Sequence, residues 1–323
     1  MNTVIMQDVL QPEVSTKTDF LHIADLSSTE LQELIDLAIE LKKEYFNGGN
    51  PPLLQGKVLA MIFQKPSLRT RVSFDMAMRH LGGDALYLSP AEIGLGQRET
   101  IADVSRVLSG YVHGIMARVF DHEHILELAK WSSVPVINGL TDYNHPCQAL
   151  ADALTIQEKF GSAKGLNVTF VGDGNNVAVS LMHICAQLGW NFTIANPPGY
   201  DMLSHAVEIG KKLAQKTGSK ITFCTDPHDS VKGADVIYTD AWTSMGQEEE
   251  TAIREKAFSS YQVNQQLVNE ANPDAIVMHC LPAHRNQELT DDVADGLQSV
   301  IFPQAHNRLH AQKAILARVF GVA

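Results

Sequence analysis

"NVTFVGDGNNVAVS", residues 167–180, runs from a short apolar segment through a glycine-containing turn into the start of a helix. A buried strand that feeds a helix in this way is one unit of a parallel sheet. The unit recurs downstream, where "NFTIANP" (191–197), "KITFCTD" (220–226), "DVIYTD" (235–240) and "AIVMHC" (275–280) read as further buried strands. Upstream, "KVLAMIF" (57–63), "DALYLS" (84–89), "GIMARVF" (114–120) and "PVINGL" (135–140) alternate with helical segments at 70–82, 99–111 and 122–131. This rhythm predicts an α/β fold with two open parallel-sheet domains. The helical stretch "HPCQALADALTIQEKFG" (145–161) joins them, and a final helix, "AQKAILARVFG" (311–321), carries an apolar stripe with which to pack back on either half. Ahead of the first strand, "LSSTELQELIDLAIELKKEYF" (26–46) shows helical spacing behind a Ser/Thr cap.

At 323 residues the chain exceeds the size at which one core usually stops growing, which also points to two domains. Its 37 Asp and Glu outnumber 25 Lys and Arg, for a net charge of −12, and this argues against nucleic acid as a partner. Any anion site must therefore be local. Cys147, Cys185, Cys224 and Cys280 have neither a CxxC pair nor a paired metal spacing, as expected of free thiols in a reducing compartment without a structural zinc. The first 19 residues lack a secretory pattern and no segment reaches the ~18 apolar residues of a membrane span. The expectation is a soluble, cytoplasmic protein with no membrane partner.

Ligands of open parallel sheets bind beyond the carboxyl ends of the strands. In "FQKPSLRTRVSF" (63–74) the strand ends near Phe63 and a helix starts around Ser67, just after Pro66. Backbone N–H groups, the Ser67 and Thr70 hydroxyls and the Arg69 fork then converge at a helix N-terminus, as a phosphate requires. Cations at that end oppose the helix dipole, so Lys65, Arg69 and Arg71 are better explained by a bound anion than by a solvated first turn. Arg118 sits in an apolar strand and needs a partner. His145 and Gln148 fall three apart on one helix face, and Cys280, His284 and Arg285 follow the last strand. Taken singly, Arg118 also fits a structural ion pair, His145 a helix cap and Cys280 plain packing.

"VGDGNNVAVS" (171–180) offers Gly172 and Gly174 of a dinucleotide fingerprint but has Val177 where the third glycine belongs. Asn175 and Asn176 suit either a helix cap or a carboxylate. Asp240, at a strand end and followed by Ser244 and Met245, suits a ligand ammonium, whereas the acidic run 248–250 reads as a solvated helix start.

"SLRTR" (67–71), "HPCQ" (145–148), "GDGNN" (172–176), "DAWTSMGQE" (240–248) and "HCLPAHR" (279–285), in this order, resemble the carbamoyltransferases and specifically the ornithine carbamoyltransferase family. The resemblance extends from the first helix to "NRLHAQKA" (307–314). It implies a carbamoyl-phosphate-binding domain over 1–150, with the terminal helix 305–323 packed back on it, and an ornithine-binding domain over 151–304. The active site would lie in the cleft between them and be shared across a homotrimer. The implied reaction moves the carbamoyl group of carbamoyl phosphate to the δ-amine of L-ornithine, giving L-citrulline and phosphate in arginine biosynthesis, with no metal or organic cofactor.

By the same resemblance Ser67, Arg69, Thr70 and the N–H of Leu68 bind the phosphate, while Arg118, His145, Gln148 and Arg308 hold the carbamoyl end. Cys280 and Leu281 meet the carbamoyl group and the reacting amine, and Asn176, Asp240, Ser244 and Met245 orient ornithine. The catalytic set is Arg118, His145, Cys280 and Arg308.

Two positions depart from the family pattern. Leu68 replaces a threonine, and Gly94 in "SPAEIGLGQRETI" (89–101) stands where relatives carry a glutamine that reaches a neighbouring subunit. Gln97 or Arg98 is expected to take over that contact. Acetylornithine and putrescine are the rival amines; Asp240 with Ser244 and Met245 favours a free α-amino acid, and putrescine has no carboxylate for Asn176. A nicotinamide-dependent dehydrogenase is disfavoured by the missing glycine and by "IANPPG" (194–199), which lacks an acidic ribose partner. Only turnover separates an enzyme from a non-catalytic phosphometabolite-binding protein.

Overall fold

The structure, a computed structural model, describes residues 17–322 other than Met245. Helix α1 (Ser28–Phe46) opens on a capping box: the Ser27 hydroxyl accepts the Glu30 N–H at 3.2 Å and the Glu30 carboxylate accepts the Ser27 N–H at 2.9 Å. The first βα series follows as β1 (Val58–Phe63), α2 (Leu68–His80), β2 (Asp84–Leu88), α3 (Pro90–Ile93), α4 (Ile101–Ser109), β3 (Gly114–Arg118), α5 (His122–Trp131) and β4 (Val136–Leu140). Helix α6 (Pro146–Phe160) leads to the second: β5 (Asn167–Val171), α7 (Asn176–Leu188), β6 (Asn191–Ala195), α8 (Ser204–Thr217), β7 (Ile221–Cys224), α9 (Pro227–Ser230) and β8 (Val236–Thr239). The chain closes with α10 (Thr251–Phe258), α11 (Gln265–Val268), β9 (Ile276–His279), α12 (Asp291–Ala294) and α13 (Ile301–Val319).

Both sheets are parallel, in the orders β2-β1-β3-β4 and β7-β6-β5-β8-β9. Strand order therefore reverses between β1 and β3 and again between β5 and β8. Loops leaving the sheet at such a reversal diverge and open a crevice. The pairing Phe63↔Arg118 sets Arg118 beside the loop that leaves β1, and Thr239↔His279 makes Asp240 and Cys280 neighbours one residue beyond the sheet.

Strands β3, β4, β8 and β9 are buried throughout, as their continuous apolar runs predict. Strands β2 and β7 are not. Each lies at one edge of its sheet, and they leave Leu86 51% and Phe223 45% exposed, whereas β4 and β9, at the opposite edges, are covered. The terminal helix also departs from expectation: it begins at Ile301 rather than at 305 or 311. Pro303 falls in its first turn, where a missing N–H breaks no helical bond. Helix α13 packs on α6, α1 and α2, and one apolar cluster runs from Met61 and Phe74 through Leu150, Leu154 and Ile315 to Phe170 and Met278. No helix among the described residues is long and apolar enough to cross a membrane.

Among the polar groups buried with this core, one carboxyl joins three elements. Asp152 on α6 is fully buried; its Oδ1 accepts from Gln148 Nε2 at 2.9 Å and Gln304 Nε2 at 2.7 Å, and its Oδ2 from the Tyr238 hydroxyl at 3.1 Å. Three elements, α6, α13 and β8, meet at this carboxyl. Burial pushes it up to about 7 despite those donors and the nearby Arg308.

Two outcomes follow from this packing. Because the folded-state value of Asp152 lies above the ordinary carboxylate range, its contribution to stability is complete below about pH 4 and is lost as pH rises through about 7. Asp152→Asn keeps an oxygen for both glutamines and a nitrogen for Tyr238, so it is expected to melt with the wild type at pH 4 and a few degrees above it at pH 8, by calorimetry. Gly174 is needed for close approach: a Cβ there would lie 2.4 Å from the Met202 nitrogen and 2.6 Å from the Asp201 carbonyl carbon. Gly174→Ala is expected to lose about 1–3 kcal/mol in denaturant unfolding, the usual penalty of overpacking.

Candidate active site

The loops at both strand reversals face one cavity of about 480 Å³. Its first wall begins where β1 ends. Ser67 caps α2 from extended backbone, its hydroxyl accepting the Thr70 N–H at 3.2 Å. Ser67, Leu68 and Arg69 line the cavity, so the first N–H groups of α2, which have no intrahelical acceptor, open onto it. The Leu68 side chain is 76% exposed, which leaves its backbone as the part available to a ligand there. Thr70 is fully buried and is not among the residues lining the cavity; its hydroxyl accepts from Arg308 Nη2 at 2.7 Å and from the Ser67 hydroxyl at 3.1 Å.

Arg118, His145, Gln148 and Arg308 complete this wall. Burial, then the charges of Arg308 and Arg69, pushes the Arg118 guanidinium down to about 9, still protonated at neutral pH. His145 stands at the N-cap of α6 but makes no side-chain cap bond, which removes the plain capping reading. Burial first, then Arg308, Arg118 and Arg69, holds its imidazole well below the usual range, so it is neutral. Its backbone N–H donates to Ser180 Oγ at 2.8 Å, fixing the start of α6 against α7. Lys65, read above as facing an anion but given no role by the resemblance, also lines the cavity; it is buried, paired with Asp142, and lies 4.4 Å from the centre of the Phe120 ring. Its position two residues before Ser67 was the available signal.

The opposite wall carries negative and amide groups. Asp240 accepts from the Cys280 thiol at 3.0 Å, from its neighbour's N–H at Ala241 at 2.9 Å, and from Asn175 Nδ2 at 2.9 Å. Burial and then the Asp240 charge push the Cys280 thiol well above its ordinary value, so it stays protonated. Asn176 lines the cavity and donates to the Thr141 carbonyl at 2.6 Å, and Ser244 lines it beside Asp240. Leu281 follows with φ 58° and donates its N–H to His279 Nδ1 at 2.9 Å. Met245 lies outside the described residues.

Asp240, His279 and Cys280 bring donor atoms within 4.8 Å of one another, residue types that also ligate metals. Both ring nitrogens of His279 are nevertheless engaged, one by Leu281 and the other by Glu288 at 3.0 Å. Nor does the glycine turn suit a dinucleotide. Asn175 Oδ1 already accepts the Val177 and Ala178 N–H groups at 3.0 and 3.1 Å, and the chain's own backbone at Asp201 and Met202 fills the space a pyrophosphate would need at Gly174.

Gln97 and Arg98 are exposed and line no part of the cavity; Arg98 Nη1 reaches the Glu92 carbonyl at 3.4 Å. Gly94 ends α3 with φ 51°, and a Cβ there would lie 2.9 Å from the Arg98 Cβ. A glutamine at this position would be strained in the present turn. Arg285 points away, pairing with Asp291 and Asp295.

The comparisons agree with this geometry. Residues 18–158 match the aspartate/ornithine carbamoyltransferase carbamoyl-P binding domain, and residues 164–319 the Asp/Orn binding domain of the same family. An ornithine carbamoyltransferase of Bacillus subtilis is 51% identical over 314 residues, 97% of each chain. An anabolic ornithine carbamoyltransferase of Pyrococcus furiosus is 53% identical over 303 residues, 94% of this chain and 96% of that one. A solved ornithine carbamoyltransferase structure from Pyrococcus furiosus superposes with a TM-score of 0.92 at 52% identity, covering 94% of this chain and 97% of that one. With both halves matched in order and the cavity between them, the chain belongs to the aspartate/ornithine carbamoyltransferase family.

Proposed function

We propose that this chain is an ornithine carbamoyltransferase, transferring the carbamoyl group of carbamoyl phosphate to the δ-amine of L-ornithine to form L-citrulline and phosphate, as a step of arginine biosynthesis. The observation that carries the reading is the polarity of one cavity: Arg69, Arg118 and Arg308 with a helix N-terminus on one wall, Asp240 with Asn176 on the other. The first wall suits a dianionic acyl phosphate and the second a free α-amino acid. Residues 1–150 carry the first substrate and 151–304 the second; α6 spans the boundary.

Attack of the neutral δ-amine on the carbonyl carbon forms a tetrahedral oxyanion. Arg118 and Arg308, with neutral His145 as a further donor, would stabilise that developing charge. Ser67, Arg69 and the N–H of Leu68 stabilise the departing phosphate. Asp240, Ser244 and Met245 orient the amino acid, with Cys280 and Leu281 at the reacting amine. A thiol held protonated is not the resting base for that amine; Cys280 acts as a hydrogen-bond donor to Asp240.

Assembly as a homotrimer with shared sites belongs to the same reading. It is supported by Leu68, Val72 and Met76, an exposed apolar stripe at helical spacing along α2 next to the cavity, and by exposed Leu86 on edge strand β2. Loop 94–98 would then reach the neighbouring site. Free thiols at all four cysteines fit a cytoplasmic location.

The test is citrulline formation from carbamoyl phosphate and ornithine, beside putrescine and acetylornithine. Ornithine alone is expected to turn over. Arg69→Ala should raise the KM for carbamoyl phosphate about 10- to 100-fold, as loss of hydrogen bonds to a charged ligand does. Asp240→Asn should instead lower kcat/KM for ornithine and leave the KM for carbamoyl phosphate nearly unchanged. Preference for another amine would overturn the roles of Asp240 and Ser244.

A further inference from the structure

The orientation of one amide in the cavity wall is dictated from two sides. The His279 N–H donates to Gln304 Oε1 at 2.9 Å, so the Gln304 amide must turn its nitrogen to Asp152 Oδ1, 2.7 Å away. A backbone N–H only donates, which leaves no second assignment. Asp152 Oδ1 is therefore an acceptor, whether or not a proton sits on Oδ2 beside the Tyr238 hydroxyl. Gln148 Nε2, 2.9 Å from that same oxygen, must donate to it. On the other side of Gln148 stands Arg308, a donor only, with Nη1 3.2 Å from Oε1. Both neighbours require the Gln148 carbonyl oxygen to face away from Asp152, toward Arg308 and the cavity that Gln148 and Arg308 line.

Acyl phosphates that fit the arginine-rich wall differ at the acyl carbon: carbamoyl phosphate carries an amino group there and acetyl phosphate a methyl of nearly the same size. Only the amino group donates a hydrogen bond. We propose that Asp152 is a specificity-determining positioning residue, which locks Gln148 Oε1 toward the cavity and thereby selects an acyl phosphate bearing –NH2 over one bearing –CH3. The inference rests on the carbamoyl-phosphate reading of the cavity. A flipped Gln148 would set its own –NH2 against the substrate's, donor against donor, and the preference would vanish. Gln148 is 1% exposed and Asp152 fully buried, so no bulk water is at hand to correct a wrong orientation.

The experiment measures, on the full chain at saturating ornithine, the KM for carbamoyl phosphate and the inhibition constant of acetyl phosphate against it. Their ratio is read in the wild type, Asp152→Asn and Asp152→Leu, with melting temperatures recorded for each. In the wild type acetyl phosphate is expected to bind about tenfold more weakly, the factor one matched hydrogen bond supplies. Asp152→Asn retains an acceptor at the Oδ1 position and should keep the ratio within about twofold. Asp152→Leu removes the acceptor, leaves Arg308 alone to orient the amide, and should lower the ratio to about threefold or less. General loosening of the site weakens both ligands together and leaves the ratio alone, so a merely structural role does not produce this result.

An unchanged ratio in folded Asp152→Leu, or a lost ratio in Asp152→Asn, overturns the proposal. Should Asp152→Leu fail to fold, Gln148→Met removes the oriented oxygen itself; collapse of the ratio supports the proposal and its survival overturns it. Normal turnover with no preference between the two acyl phosphates overturns the inference alone, whereas absence of turnover in the wild type overturns the functional reading and the inference with it.

Discussion

Arg69, Arg118 and Arg308 bring three positive charges to one buried wall, and much of the site follows from that crowding. Burial is the largest influence on each of them, drawing each below the ordinary guanidinium range, and the arginines act on one another in the same direction at Arg118 and Arg308. Like charges in a region of low dielectric are unfavourable until a counter-ion arrives. Asp240 and Asp152 ease the repulsion at Arg69 and Arg308, but each already accepts hydrogen bonds of its own. What the wall fits is a compact dianion, and a developing oxyanion fits it as well. Burial first, and then the same three charges, keep His145 neutral.

Such a wall has to be held by something other than its own interactions. Two sheets provide that support, each reversing its strand order where the loops open on the cavity. Helix α6 supplies His145 and Gln148, and α13 supplies Arg308. Both helices are buried against the shared apolar cluster, so the charged groups are mounted on packed elements rather than on loops.

Local pattern was enough to read the strands and helices that bound the site, because hydrophobic period and capping act within a few residues. Relations across the chain were not readable in that way. That β2 and β7 would be edges depends on pairing order, and nothing in "DALYLS" or "KITFCTD" marks it. Asp152 stood in plain view within "ALADAL", yet its partners Tyr238 and Gln304 lie 86 and 152 residues away. That the Thr70 hydroxyl meets Arg308 was equally hidden, since the two lie 238 residues apart. Gly94 looked like a lost side chain, whereas its left-handed backbone makes it a requirement of the turn.

Helix α13 also has a bearing on how the molecule comes into being. It is made after every other described element, yet it packs against α1, α2 and α6 and buries Ala311, Ala314, Ile315 and Leu316 there. Arg318 bonds to Glu30 at 2.6 Å and Lys313 to Asn50 at 2.6 Å, closing the chain's end onto its beginning. A nascent chain on the ribosome therefore carries an apolar groove along α1, α2 and α6 that stays open until α13 itself has been made. Its exposed groove is a site for chaperones and for aggregation during that interval, and the wide sequence separation of these contacts slows the step that ends it.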